Sequence, residues 1–317
     1  MANEILMQAK GLVKEFKATG GIVHAVSGVD LDIYAGETLA LVGESGCGKS
    51  TLGKLLLRLM PATDGQITFE GEDLTAMNSR ELRQARRRMQ LIFQDPYASL
   101  DPRMSVGRII AEPLRAYKVC KNAAEEEAMV RSLMDKVGIR PEFYHRYPHQ
   151  FSGGQRQRVG IARALALNPR LIVCDEPVSA LDVSIQAQIL NLLHDLQAEM
   201  NLTYLFISHD LGVVRYISDR VCVMFLGKVC ELGNTEDIYS HPQHPYTRFL
   251  LDSTPQPDPD RRKEDRALLQ GELPSPIDPP SGCRFHPRCP YAKEICSQEE
   301  PVLRPCKSGM CACHFPL

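Results

Sequence analysis

The run Gly43-Glu-Ser-Gly-Cys-Gly-Lys49-Ser50-Thr51 fits the pattern G-x-x-x-x-G-K-[ST] and constrains this chain more than any other feature. Such a loop works only between a buried strand and the start of a helix. The flanks meet that condition, since Thr38–Val42 is an apolar, strand-like run and Leu52–Met60 reads as a helix. Glycines at 43, 46 and 48 let the backbone curl so that successive N–H groups, including that of Ser45, point inward at phosphate oxygens. The helix beginning near Lys49 adds its positive end, Lys49 supplies a charge for the β- and γ-phosphates, and Ser50 offers a hydroxyl to Mg²⁺. The alternative is a glycine-rich turn that binds nothing, which would not need Lys49 and Ser50 in register. An α/β domain that takes a nucleoside triphosphate is therefore expected.

Two further strand ends carry polar groups. Leu171-Ile-Val-Cys174 is a fully apolar run that ends in Asp175-Glu176-Pro177. That is the pattern of a central, doubly covered strand, and ligands of open α/β sheets bind at its C-terminal end. Asp175 is expected in the Mg²⁺ shell and Glu176 beside the attacking water; two acidic residues merely capping a strand end are the alternative. Tyr204–Ile207 ends in Ser208-His209-Asp210, where His209 is expected to hold that water in line with the γ-phosphate. Finally, Phe151-Ser152-Gly153-Gly154-Gln155-Arg-Gln-Arg158 precedes a helix-like run, Val159–Leu167, and forms a second phosphate-ready helix start. One nucleotide cannot use both this turn and the first loop unless a second chain supplies one of them.

Composition sets the frame. The 317 residues are 44% hydrophobic and 24% charged, which is ordinary for a globular chain with room for one large or two modest domains. A net charge of −2 excludes binding to nucleic acid or membrane through bulk charge. No apolar run approaches the ~20 residues of a spanning helix, and Met1–Met7 lacks signal-peptide features. A cytosolic setting is expected, with the eleven cysteines reduced, metal-bound or buried. Cys47, Cys120, Cys174, Cys222 and Cys230 are scattered, whereas Cys283, Cys289, Cys296, Cys306, Cys311 and Cys313 crowd the C-terminus. Between the two groups, Thr254–Asp260 and the charged run Arg261–Arg266 read as a linker. The expected organisation is an α/β domain over 1–253 and a cysteine-rich extension over 254–317. Arg83–Arg88 and Ala123–Arg131 read as solvated helix faces. Val183–Met200, apolar at Ile185, Ile189, Leu193 and Leu196, reads as a core helix. Cys47, among loop N–H dipoles and beside Lys49, is expected to be a reactive thiolate that ATP protects.

Taken together, these motifs resemble those of the ATP-binding subunits of ATP-binding-cassette (ABC) transporters, specifically bacterial dipeptide/oligopeptide permeases. In family terms Gly43–Thr51 is the Walker A motif and Leu171–Glu176 the Walker B. Phe151–Gln155 is the signature, with Phe where Leu is commoner, a swap that keeps an apolar anchor. Ser179-Ala-Leu-Asp182 is the D-loop, and His209 the switch histidine. Gln94, in Leu91-Ile-Phe-Gln-Asp-Pro96, is the Q-loop glutamine, a Mg²⁺ and water contact that also senses the membrane partner. Phe16 is the aromatic that stacks on adenine, or else a core residue of the first strands.

The resemblance implies a RecA-like core, an antiparallel β subdomain and a helical subdomain inserted at about 95–160. It also implies a head-to-tail pair with a sister ATPase subunit, in which each ATP meets one chain's loop and the other's Ser152, Gly153, Gly154, Gln155 and Asp182. Two transmembrane permease subunits and, indirectly, a periplasmic or extracellular peptide-binding protein complete the implied assembly, on the cytoplasmic face of the cell membrane. No nucleic-acid partner is implied.

Ser240–Arg248 and Leu273–Pro280 resemble segments particular to the peptide-permease subunits. So do the cysteines at 283, 289, 296 and 313, for which the resemblance implies a [4Fe-4S] cluster. Three readings of the tail stand: an iron–sulfur cluster, a zinc site, or thiols without metal. The spacing lacks the C-x-x-C pairs usual for structural zinc. Cys306 and Cys311 are extra to the pattern, with His286 and His314 as substitute donors. Cargo is open between peptides and nickel, glutathione or another small solute. A cassette ATPase without a transporter is the remaining reading, disfavoured by a single loop and signature with no heptad run.

Overall fold

The computed structural model of the protein describes residues 4–253 and 274–317. The linker expected at 254–266, and Leu273 of the permease-like segment, lie outside the described residues. The chain forms two compact units. A central unit is Ala76–Ile207, and a split unit joins the N-terminal segment up to Thr75 to Ser208–Leu317.

The N-terminal part of the split unit opens with β1 (Ile5–Ala18) and β2 (Gly21–Tyr34), followed by β3 (Thr38–Val42), α1 (Lys49–Leu56), β4 (Asp64–Phe69) and β5 (Glu72–Asp73). β1 pairs antiparallel with both β2 and β4, so the sheet runs β2-β1-β4-β5. Its alternating residues Leu6, Val26, Leu31, Ile67 and Phe69 are buried, the half-solvated pattern of an antiparallel sheet. β3 is buried at every position, as its unbroken apolar sequence requires.

The central unit contains α2 (Ser79–Arg86), β6 (Met89–Ile92), α3 (Val106–Ala116), α4 (Ala123–Lys136), α5 (Gly153–Leu165), β7 (Leu171–Asp175), α6 (Val183–Met200) and β8 (Thr203–Ile207). β6, β7 and β8 are parallel neighbours in that order. The helices α3, α4 and α5 therefore share their compact unit with three core strands. α6 buries Ile189, Leu193 and Leu196, as its period demands, while in the acidic first turn of α4 Glu125 is exposed and Glu126 is half-buried in a pair with Arg115. The Arg83–Arg88 cluster is not simply solvated, because Arg83 donates to Ala116 O (2.7 Å) and lies 5.5 Å from the Tyr117 ring.

The chain returns to the split unit through α7 (Leu211–Ile217), β9 (Arg220–Phe225), β10 (Lys228–Asn234), α8 (Thr235–Ser240), α9 (Pro245–Ser253), α10 (Glu294–Gln298), β11 (Arg304–Cys306) and β12 (Gly309–Cys311). β9 lies parallel to β3 and antiparallel to β10, and the β11–β12 hairpin extends the same sheet by pairing Glu231 with Cys311 and Leu232 with Met310. The cysteine-rich extension thus shares the sheet of the split unit. Phe285 from this segment is fully buried and packs on Phe225 and Tyr246, at ring separations of 5.4 and 5.3 Å. His24 N–H also donates to Pro276 O at 3.0 Å. A short tail with little core of its own gains its order by sharing the core of a larger unit.

The stitching centres on Glu231, which is completely buried in β10. Its carboxylate accepts the N–H groups of Gln243 (2.8 Å) and His244 (2.9 Å) and the hydroxyl of Ser308 in the β11–β12 turn. A buried carboxylate is stable only when its lone pairs are filled in this way. Burial holds His244 neutral, with its pKa lowered to about 4, so that its Nδ1 accepts the N–H of Tyr246 at 3.0 Å. Replacing Glu231 by Ala strands two buried N–H groups, and we expect a loss of about 3 kcal/mol of stability. Denaturant unfolding of the full chain measures it.

Candidate functional site

The expected site residues divide between the units. Phe16, the loop 43–51 and His209 lie in the split unit, whereas Gln94, 152–155, Asp175, Glu176 and Asp182 lie in the central unit.

The loop leaves β3 and runs into α1, which begins at Lys49, as expected. Gly43 has φ +150°, and a Cβ there would sit 2.1 Å from Met224 O at the end of β9. Gly48 caps α1 in the left-handed region (φ +105°), where a Cβ would lie 2.1 Å from Ala25 O. Only glycine fits either place. The buried Lys49 ammonium donates to Gly43 O (2.7 Å) and Glu44 O (2.9 Å), which holds it inside the loop's curve. Ser45 and Gly46 are exposed, while Ser50 and Thr51 are half-buried in the first turn of α1.

Cys47 departs from the expected thiolate. It is 2% exposed, and burial raises its pKa more than Lys49, with Nζ at 3.8 Å from Sγ, lowers it. The thiol is buried in the core, so it stays protonated. Phe16 is 37% exposed on β1, with the Lys14 ammonium 5.0 Å from its ring centre, and so is not a core residue. His209 is exposed, directly ahead of α7, which is capped by Asp210 through the N–H groups of Gly212 and Val213.

In the central unit, β7 ends in Asp175, which is buried, and Glu176, which is half-buried. Glu176 has φ +46°, a conformation costing about 1 kcal/mol for a residue with a side chain, and its N–H is held by Ile207 O at 3.0 Å. This bend turns its carboxylate to the exposed Gln94, whose Nε2 donates to Glu176 Oε2 at 2.9 Å. Two of the expected site residues, 82 positions apart, therefore meet directly.

Ser152 caps α5 in a reciprocal pair: Gln155 N–H reaches Ser152 Oγ (3.4 Å) and Ser152 N–H reaches Gln155 Oε1 (3.1 Å). Ser-x-x-Gln is a capping box, a signal present in the sequence that explains why the helix starts at Gly153. Phe151 is buried against Phe143, with ring centres 5.9 Å apart, and so provides the apolar anchor expected of it. Gly154 faces α6, where a Cβ would lie 2.4 Å from Ile185 Cγ2; Gly153 faces Leu181, at 3.3 Å. Asp182 Oδ1 caps α6, accepting from Ile185 N–H and Ser184 Oγ at 3.0 Å each.

All eleven cysteines are free. The thiols of Cys283, Cys289, Cys296 and Cys313 line one cavity in the split unit, along with His286 and His314. Among the described residues no group of His, Cys, Asp or Glu gathers closely enough to hold a metal ion on its own. Burial, reinforced by the other thiols, raises the pKa of Cys283 to about 11 and raises those of Cys289 and Cys313. Such a set stays neutral until a cation compensates its charge. Cys311 is instead buried under β12, and Cys306 lies outside this cavity, beside Ser308.

A glycine loop holding a buried lysine, a parallel strand ending in paired carboxylates and a capped Ser-Gly-Gly helix start define a P-loop nucleoside triphosphatase of the cassette type. Comparison with known proteins agrees. Residues 26–179 match the ABC transporter family and residues 230–296 the oligopeptide/dipeptide transporter C-terminal region. The chain is 57% identical over 282 residues to the oligopeptide transport ATP-binding protein OppF of Salmonella typhimurium, covering 89% of this chain and 84% of that protein. It is 50% identical over 325 residues to the oligopeptide transport ATP-binding protein AppF of Bacillus subtilis, covering 98% of each. A solved dimeric post-hydrolysis state of the ATP-binding cassette MJ0796, bound to ADP and Pi, superposes with a TM-score of 0.67 at 30% identity, over 72% of this chain and 98% of that one. The chain belongs to the ABC transporter ATPases, in the branch that carries the oligopeptide/dipeptide transporter C-terminal region.

Two outcomes follow from the loop and the signature. In the native apo-protein, iodoacetamide should modify Cys47 at least ~10-fold more slowly than in urea-unfolded chain, read by peptide mass mapping, because thiolate fraction and access both fall with burial. Gly154→Ala should destabilise the protein by about 1–3 kcal/mol through overpacking on Ile185, measured by thermal unfolding without nucleotide.

Proposed function

We propose that this chain is the ATP-hydrolysing subunit of an importer whose cargo is short peptides. The observation that carries the reading is the joint match of a cassette and the oligopeptide/dipeptide transporter C-terminal region in one chain. The names of relatives at 57% and 50% identity point to the same cargo.

In this reading Lys49 and the loop N–H groups from Gly43 to Thr51 bind the ATP phosphates, Ser50 and Asp175 hold Mg²⁺, and Phe16 stacks on adenine. Glu176 takes a proton from the attacking water, with Gln94 orienting its carboxylate and His209 steadying the γ-phosphate. The hydrogen bond from Gln94 to Glu176 supports that pairing, because it holds the amide against the carboxylate. The start of α5, at Ser152, Gly153, Gly154 and Gln155, serves the nucleotide of a sister subunit, with Asp182 beside it. ATP favours the closed head-to-tail pair, and hydrolysis returns the population to the open one. The pair works against two permease subunits at the cytoplasmic membrane face, fed by a peptide-binding protein on the other side. No helix of the described residues is long and apolar enough to cross a membrane.

We infer from the family resemblance that the cavity thiols hold a [4Fe-4S] cluster; that all four line the same space supports the reading. When bound, such a cluster would supply four metal–thiolate links and so cross-brace the C-terminal segment. Cys283, Cys289, Cys296 and Cys313 would hold it.

Uptake of labelled dipeptide and of labelled nickel by cells lacking this gene tests the cargo. Wild type should restore peptide uptake, and Glu176→Gln should reduce it by at least ~100-fold through loss of the general base. Restored nickel uptake without peptide uptake would overturn the peptide assignment. For the tail, anaerobically purified protein should show iron, sulfide and visible absorption that Cys289→Ser abolishes; zinc at one equivalent would replace the cluster reading.

A further inference from the structure

The turn that carries Cys289 also carries an arginine aimed at the nucleotide loop. His286–Arg288 is a short 3-10 turn, closed by the N–H of His286 on Cys283 O and that of Cys289 on His286 O. From it the Arg288 guanidinium forms a two-pronged pair with Glu44, Nη1 to Oε2 at 2.8 Å and Nη2 to Oε1 at 3.0 Å. Glu44 is the second residue of the phosphate loop, and 244 positions separate the pair. Exposed ion pairs contribute little, but this one differs in burial and geometry. The Arg288 side chain is 9% exposed, its guanidinium lies 5.8 Å from the Phe225 ring centre, and its buried Nε has no hydrogen-bond partner among the described residues. The hydrogen bonding of this cation is directed at Glu44.

Glu44 in turn controls the lysine. Its carbonyl accepts the Lys49 ammonium (2.9 Å) and the Cys47 N–H (3.3 Å), while its own N–H donates to Tyr246 Oη at 2.8 Å. Tyr246 is set by His244 and Glu231, the hub that also fastens the β11–β12 turn. The mouth of the loop is therefore gripped twice by the C-terminal part of the chain, through its backbone by Tyr246 and through its side chain by Arg288.

We propose that Arg288 is a positioning residue for the nucleotide loop: by fixing Glu44 it orients the Glu44 carbonyl that holds Lys49, and so lets the cysteine-bearing segment set the affinity for ATP. Ordering the loop in advance removes an entropic cost that ATP would otherwise meet on binding. Arginine suits the role because its planar fork matches a carboxylate at two points, which lysine cannot do.

The inference rests on reading 43–51 as the ATP loop, so the test separates the two. Binding of a fluorescent ATP analogue, together with KM and kcat for ATP hydrolysis, is measured on full-length wild type, Lys49→Ala, Arg288→Ala, Arg288→Lys, Glu44→Gln and the Arg288→Ala/Glu44→Gln double variant. Arg288→Ala and Glu44→Gln should each weaken analogue binding by on the order of tenfold, the scale of one charge-assisted pair, with KM rising more than kcat falls. The double variant should bind no more weakly than either single one, and Arg288→Lys should fall between wild type and Arg288→Ala. Unchanged affinity in Glu44→Gln, or additive losses in the double variant, would overturn the positioning role while leaving the loop assignment standing. Equal binding by wild type and Lys49→Ala would overturn the loop assignment and the inference with it. If Arg288→Ala melts out at the assay temperature, Glu44→Gln decides alone, since it leaves the cysteine-bearing turn intact.

Discussion

One buried carboxylate joins three pieces of the split unit. Glu231 sits on β10 with no access to water, and it is neutralised by two backbone N–H groups at the start of α9 and by the Ser308 hydroxyl of the last hairpin. Charge in a low-dielectric interior has few stable arrangements, so the partners are fixed as firmly as the acid. His244 is then kept neutral, Tyr246 is turned towards the nucleotide loop, and Phe285 closes the aromatic cluster over Phe225. The C-terminal part of the chain is in this sense joined to the loop 43–51. Its sequence suggests an appended module, but its hydrogen bonds run to Glu231 and Cys230 of β10 and to Glu44 of the loop 43–51.

The parts legible in the sequence are those encoded locally. The loop 43–51, the apolar run ending at Asp175 and the Ser-Gly-Gly helix start each specify their conformation within about ten residues, through glycine freedom, strand period and capping chemistry. The contacts between Glu231 and Ser308, between Arg288 and Glu44, and between Gln94 and Glu176 span 77, 244 and 82 positions. An acidic residue inside an apolar strand was the one visible sign of the first, and nothing local marks the other two. Cys47 shows the opposite failure. Reasoning from neighbouring dipoles predicts a thiolate, but burial decides, and burial depends on how β3, α1 and β9 pack rather than on the loop's own residues. The way the cysteine-rich extension packs is hidden in the sequence for a related reason. Cysteine and proline content describes a chain segment's own resources, not the neighbouring core into which Phe285 inserts.

The ABC transporter class follows from local motifs, while the branch follows from the C-terminal region, and the two are physically connected here. A cassette hydrolyses ATP with residues common to all members of its class, so these residues carry no information about cargo. What differs between branches is what is packed around the common core. In this chain that addition touches the phosphate loop at Glu44, between the invariant-looking glycine and lysine that a motif search reads past.

The close approach of α5 to α6 has a consequence of another kind. Gly153 and Gly154 admit Leu181 and Ile185 so closely that even a methyl group could not intervene at 154. The first turn of the signature helix and the turn leading into α6, capped by Asp182, are meshed like gear teeth. Neither can slide along the other without a steric collision, so the two turns move as one body. A load applied to either turn would displace both and reach Asp182 at the start of α6.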